Sequence, residues 1–211
     1  MESSDLRREE NYNEFLRLCQ NNDYLDVTFD EESGGVSAVH RFHKFDKQKG
    51  VFADRRGDYE RKVLEILRKN GDRIILESEI SSEGNRICDG LLNDIPVEIK
   101  AIEGLGTWSI STKLLDAEQQ HAKTVIFYFP NKDLYSENRV NEGIRLANSS
   151  PKSKGVWQTS NIIIAIGEQL ETGWNKKATP IEGWSVLEGL RGQNGANPFT
   201  IPPSDAKLLK E

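Results

Sequence analysis

Asp89, Glu98 and Lys100 are the residues of this chain whose types and spacing could do chemistry. They lie in Cys88-Asp89-Gly90-Leu91-Leu92-Asn93-Asp94-Ile95-Pro96-Val97-Glu98-Ile99-Lys100, which reads as two short strands folded about a two-residue Asn93-Asp94 turn. That loop sets Leu92 opposite Ile95 and, counting back, Asp89 opposite Glu98. Side chains alternate along a strand, so Ile87, Asp89 and Leu91 share a face with Pro96, Glu98 and Lys100. Cys88, Gly90, Leu92, Ile95, Val97 and Ile99 are left for a buried face. Two carboxylates directly across a strand pair repel each other, and a lysine two residues along relieves this only in part. Hard divalent cations want such a pair of oxygen ligands. The chemistry to expect is that of a metal-dependent catalytic site, with Mg²⁺ (or Mn²⁺) as the cofactor.

The elements around this hairpin must hold it in place. Asp58 to Asn70 is the clearest helix: Val63, Leu64, Ile66 and Leu67 form an apolar stripe, Asp58 stands where a cap belongs, and Asn70-Gly71 stops it. Glu60, Leu64 and Leu67 are spaced i, i+4, i+7, which puts a carboxylate at the N-terminal end of the core-facing stripe. The plain alternative is a first-turn acid favoured by the helix dipole. Arg73 to Ser78 alternates as a strand. Gly104 to Thr107 reads as a loop with Trp108 in it, Lys113 to Ala122 as a second helix, and Thr124 to Phe129 as a β-branched and aromatic strand. Asn138 to Ala147 reads as a helix, and Asn161 to Gly167 as a strand buried on both faces.

Ahead of these, Asn11 to Cys19 is a short helix candidate. Asp26–Phe29 and Val36–Val39 flank Glu31-Glu32-Ser33-Gly34-Gly35, a second hairpin signal. Residues 1–56 thus read as an N-terminal extension with a hairpin and the His40/His43 segment, and 57–170 as the main domain. Residues 171–211, punctuated by Gly and Pro with little periodicity, read as a tail.

With 36% hydrophobic and 29% charged residues and a formal net charge of -6, the composition is globular but polar. Net charge does not advertise nucleic-acid binding, yet phosphate affinity follows the local patch. Residues 41–73 carry eleven Lys and Arg against six Asp and Glu. Cys19 and Cys88 have no metal-ligand spacing and form no disulfide framework. No run approaches the ~18 apolar residues of a membrane span, so the expectation is a soluble chain acting in the cytoplasm, with no membrane partner and no export signal.

The order is a helix bearing Glu60, a strand, a strand with Asp89, a strand with Glu98-Ile99-Lys100, a helix with Gln119-Gln120, and a strand. This resembles the PD-(D/E)XK phosphodiesterase superfamily over roughly residues 57–130. The resemblance implies an α/β fold with a central mixed sheet of about four to five strands flanked by helices, as in restriction endonucleases. It implies Asp89 and Glu98 as metal-binding acids, Glu60 as a further metal-binding acid on the first helix, Lys100 as the lysine that positions or activates the attacking water, and Gln120 as the glutamine of some branches. Cys88 stands where the motif's Pro would be, and the connection at residues 80–85 leaves little room for a base-reading insertion. Gly57-Asp58-Tyr59-Glu60, Asp89-Gly90, Val97-Glu98-Ile99-Lys100 and Ala117–Gln120 are similar to the C-terminal nuclease modules of contact-dependent growth-inhibition toxins. That branch implies a toxin-type effector that cleaves nucleic acid, with RNA or tRNA slightly ahead of DNA, and an immunity or inhibitor protein as partner.

Other residues invite other readings. His40 and His43 could be the acid and base of a metal-free ribonuclease or ligands of a transition metal. In an extended segment they would lie on opposite faces, and flanking Phe42 and Phe45 favour packed, hydrogen-bonded rings, with His43 a candidate substrate contact. Trp108 could stack on a base, with Ser109, Ser111 and Lys113 contacting phosphate beside it. The alternative to catalysis is a non-catalytic binding or regulatory protein that keeps the nuclease fold.

Overall fold

The chain opens with helix α1 (Ser3–Cys19), which begins well before Asn11. The computed structural model describes residues 3–46, 57–78, 87–158 and 162–167. The expected tail lies outside the described residues, as do parts of the basic segment at 47–56 and the connection at 79–86. After α1 come β1 (Tyr24–Phe29) and β2 (Val36–His40), an antiparallel pair running Tyr24 with His40 to Phe29 with Val36. Helix α2 (Asp58–Lys69) then crosses to β3 (Arg73–Leu76), which runs parallel to β2, as a helical crossover requires. β4 (Gly90–Leu92) and β5 (Ile95–Ala101) form the central hairpin. Helix α3 (Thr107–Gln119), β6 (Thr124–Phe129), a 3-10 turn (Lys132–Leu134), helix α4 (Glu137–Asn148) and β7 (Ile162–Ile166) complete the order.

The fold is mixed α/β, with a seven-stranded mixed sheet whose strands follow chain order. Five of those strands fall within 57–170. The two beyond the expected count are β1 and β2, since the front hairpin is hydrogen-bonded to β3 through β2. Two compact units make up the chain. Of the described residues, one contains those up to Ile99 together with Gln120–Lys123, and the other contains Lys100–Gln119 and those between Thr124 and Gly167. Among the described residues no helix is long and apolar enough to cross a membrane.

In the first unit α1 sets Leu18 against Val36, Ala38 and Ile75, with Phe15, Tyr24, Val27 and Phe29 around them. In α2, Val63, Leu64, Ile66 and Leu67 are buried with Glu60 on the same stripe. Full burial of each such apolar side chain is worth about 1.5–3 kcal/mol. Acids in the first turn and Arg68 and Lys69 in the last suit the helix dipole. Asp58 does not cap the helix. The N-cap is Gly57 at φ 76°, with no side-chain cap, because a Cβ there would sit 2.2 Å from the Phe45 ring.

The second unit has a parallel β6–α4–β7 crossover, paired from Val125 with Ile162 to Phe129 with Ile166. These strands are buried almost throughout, as expected for strands covered on both faces. α3 starts earlier and ends earlier than the sequence reading has it, and Trp108 belongs to its first turn rather than to a loop. The stripe that sets its phase is Ile110, Leu114 and Ala117, all fully buried at i, i+4, i+7.

Candidate active site

The β4–β5 hairpin has the register that its sequence implies. Leu92 pairs with Ile95, Leu91 with Pro96 and Gly90 with Val97, so the next step sets Asp89 opposite Glu98. Asn93 and Asp94 have φ of 48° and 69°, the two positive values of a primed two-residue turn. Neither residue is glycine, and local bonds hold the conformation. Asn93 accepts from the Arg73 backbone N–H at 2.9 Å and donates to Asp72 at 3.2 Å, and Asp94 pairs with Arg73. One detail differs from expectation: Ile95, assigned to the buried face, is exposed beside the turn, while Leu92, Val97 and Ile99 are buried.

The two carboxylates are interlocked. The backbone N–H of Asp89 donates to Glu98 Oε2 at 3.0 Å, and the backbone N–H of Ile99 donates to Asp89 Oδ2 at 2.6 Å. Asp89 is 7% exposed and Glu98 0%. N–H donors to a carboxylate are charge-assisted and stronger than neutral bonds. Burial pushes the Cys88 thiol up, and the charges of Glu98 and Asp89 push it further.

Gly90 makes the crossing at this point. A Cβ on it would lie 2.0 Å from the Ile75 carbonyl oxygen, so only glycine lets β4 approach β3 beside Asp89. That pairing adds a neighbour the sequence reading missed. Leu76 pairs with Gly90 and the Glu77 N–H donates to the Asp89 carbonyl at 2.8 Å, so Glu77 is the cross-strand partner of Asp89 on the side away from Glu98. Its carboxylate accepts from the Tyr24 hydroxyl at 2.8 and 2.9 Å. The signal for it was Glu77 at the end of an alternating strand, in phase with Arg73 and Ile75.

Glu60 is on the buried stripe of α2, as its spacing implies, but it is committed elsewhere. Its Oε1 lies 3.1 Å from His43 Nε2, and its Oε2 accepts from the Asp46 N–H at 3.0 Å. His43 Nδ1 lies 2.8 Å from the Glu77 carbonyl oxygen, which can only accept, so Nδ1 carries a hydrogen. A second hydrogen must then lie between Nε2 and Glu60. The His43 side chain is 0% exposed, which corrects the expectation of a substrate contact there: it ties α2 to the end of β3. Among the described residues no group of three His, Cys, Asp or Glu side chains is placed to hold a metal ion, so Glu60 does not complete a triad with Asp89 and Glu98 in this structure.

Gln120 is buried in the same unit as the carboxylates, just before His121 at φ 62°. Lys100 follows Glu98 by two residues on β5. In the second unit, Trp108 is 71% exposed. Ser109 Oγ donates to the Gly106 carbonyl at 2.6 Å and Ser111 Oγ to that of Trp108 at 3.1 Å. Ser111 is buried, so its hydroxyl serves the helix rather than solvent. Lys113 is half-buried on the same helix. A separate cleft of about 390 Å³ is lined by Leu6, Arg7, Glu10, Asn11, Arg73, Asn93 and Asp94. Its cations are already paired, Arg7 with buried Asp72 and Arg73 with Asp94, and it contains none of the chemistry-bearing residues. Cys19 is exposed and Cys88 half-buried, both as free thiols.

The donor set fits one class of metal. Two opposed carboxylates are hard ligands of the kind Mg²⁺ uses singly or in pairs while keeping several waters. They fall short of the three or four protein ligands that zinc takes. No protein-family model matches this chain, and no curated protein or solved structure matches it at a significant level.

Proposed function

We propose that this protein is a metal-dependent phosphodiesterase that cleaves nucleic acid. The observation that carries the reading is the interlocked, buried pair Asp89 and Glu98, opposed on the β4–β5 hairpin. Such a pair is costly as a purely structural feature, because like charges across a strand pair destabilise it. Asp89 and Glu98 would hold Mg²⁺ (or Mn²⁺), which when bound supplies a nucleophile made from water, charge neutralisation at phosphorus and help for the leaving oxygen.

The chain's own groups have separate tasks in this reading. The cross-strand N–H bonds fix the aim of the two carboxylates. Lys100, on the same strand and in phase with Glu98, supplies the cation that orients the attacking water and offsets charge on the phosphate. Gln120, buried in the same unit as the carboxylates, would be a neutral donor to the substrate. Glu60 acts at one remove: through His43 it holds Glu77, the residue that follows β3 and lies next to Asp89. Trp108, Ser109 and Lys113 are candidate substrate contacts on the first turns of α3. RNA, including tRNA, ranks slightly ahead of DNA on the resemblance to toxin-type modules, and an immunity or inhibitor protein would follow from that origin.

Purified protein incubated with total tRNA, plasmid and single-stranded DNA, with Mg²⁺, Mn²⁺ or EDTA, tests the reading. Cleavage that needs the metal and disappears in Glu98→Ala is the expected result. If wild type and Glu98→Ala leave every substrate intact alike, the fold serves binding or regulation instead. Cleavage that persists in EDTA and vanishes in His43→Ala would move the chemistry to the histidines.

A further inference from the structure

The register of the first five strands lines up more than the carboxylate pair. Tyr24 pairs with His40 across β1 and β2. Val39 pairs with Leu76, so His40 falls beside Glu77, which falls beside Asp89, which stands opposite Glu98. Directly opposed residues in a sheet share a face, so Tyr24, His40, Glu77, Asp89 and Glu98 form one row. Three strand spacings separate β5 from β2, or roughly 14 Å.

The far end of that row is aromatic. The Tyr24 and His40 rings meet edge to face at 5.3 Å between centroids, and His40 and Phe42 at 5.6 Å. His40 Nδ1 accepts from the Phe42 N–H at 3.2 Å, which fixes the imidazole and puts the ring's hydrogen on Nε2. Phe42 is 63% exposed and has no part in the core that Tyr24 borders. Beside it, Arg41 makes an exposed ion pair with Asp23 at 3.8 Å, the kind of pair that is worth little and exchanges readily.

We infer that Tyr24, His40 and Phe42 form a stacking platform for unpaired bases of the nucleic-acid strand whose scissile phosphate lies at Asp89 and Glu98, so that the substrate is single-stranded there. This rests on the phosphodiesterase reading for the other end of the row. Aromatic rings stack on any base because every base presents a π-face, and a nearby cation follows the backbone. A duplex keeps its bases stacked on each other and does not offer them to Phe42. Arg41 is the backbone contact, and His40 Nε2 is a donor to a base edge or phosphate oxygen. On this inference buried His43 is structural and half-exposed His40 is the histidine that meets substrate.

The test is fluorescence anisotropy of a labelled single-stranded oligoribonucleotide, and of its duplex, titrated with full-length protein in EDTA. Phe42→Ala is expected to weaken single-strand binding about tenfold, Phe42→Trp to restore it, and Phe42→Leu to leave it weak, with duplex binding unchanged in all three. Circular dichroism melting checks that the exposed substitutions leave the fold intact. Unchanged binding by Phe42→Ala, full binding by Phe42→Leu, equal losses on duplex, or no binding by wild type would each overturn the platform. Binding is read without metal and cleavage separately, so the two claims fail separately. Glu98-dependent cleavage alongside normal binding by Phe42→Ala rejects the platform alone. Aromatic-dependent binding with no cleavage rejects the nuclease reading alone.

Discussion

Asp89 and Glu98 each hold the other's strand: the Asp89 N–H donates to Glu98 Oε2 at 3.0 Å, and Asp89 Oδ2 accepts from the N–H of Ile99, the residue after Glu98, at 2.6 Å. Two acids that would otherwise repel across a hairpin are thereby fixed by backbone donors. The hairpin's register, its turn and its position beside β3 all serve that fixation, and each offers a place to disturb it.

The first place is Gly90. A methyl group there would meet the Ile75 carbonyl at 2.0 Å, whereas one on Gly104 would meet nothing within 4 Å. Gly90→Ala is expected to lower stability by at least about 2 kcal/mol, as forced overpacking does, and Gly104→Ala to change it little. Urea unfolding midpoints of the two variants provide the comparison. Equal midpoints would mean that β3 and β4 are not in such close contact.

A second prediction concerns His43 and Glu60. The buried contact at 3.1 Å needs a hydrogen between Nε2 and Oε1, and removal of one partner strands the other in the core. His43→Ala is expected to cost about 3 kcal/mol. Glu60→Gln keeps an amide donor for Nε2 and an acceptor for the Asp46 N–H, so its cost stays near that of one ordinary hydrogen bond, about 1 kcal/mol. It also keeps metal-dependent cleavage. Complete loss of cleavage in a well-folded Glu60→Gln protein would return Glu60 to the metal.

Tyr24 gives a pH dependence. Burial, and then the hydrogen bond that it donates to the Glu77 carboxylate, push its hydroxyl up to about 12. A folded pKa above the unfolded value of about 10 means that this group's contribution to stability is whole below pH 10. It is lost as the pH climbs toward 12. Stability measured from pH 8 to 12 is expected to fall less steeply in Tyr24→Phe than in wild type over that upper window. Tyrosinate absorbance should lose one late-titrating group in the variant, with Tyr135, which burial also pushes up, still titrating late. An identical alkaline profile would show that Tyr24 and Glu77 are not joined in solution.

What could be read in the sequence was whatever depends on neighbours along the chain. Asn93-Asp94 between two short apolar runs sets the hairpin register, and strand alternation then opposes Asp89 to Glu98 with no further information. The stripe of Val63, Leu64, Ile66 and Leu67 likewise sets the phase of α2 and with it the burial of Glu60. The partners across the fold were not legible. Nothing local in Glu77 says that β3 will lie beside β4, and nothing in Tyr24 says that its hydroxyl reaches two strands over to that carboxylate. Glu60 was expected to look toward Asp89, but a side chain's destination depends on what else arrives, and His43 and the Asp46 N–H arrive first. Gly104 and Gly106 look like loop punctuation and hide the start of α3, whose stripe continues through Ile110, a full turn ahead of Leu114.

The most direct measurement is Mn²⁺ binding to the full-length protein, followed by electron paramagnetic resonance and checked by calorimetry with Mg²⁺. A saturable site is expected in wild type, retained in Glu60→Gln, and lost in both Asp89→Asn and Glu98→Gln while those proteins stay folded. Binding that survives both substitutions, or no specific binding by wild type, would contradict the claim that the interlocked pair is a metal centre.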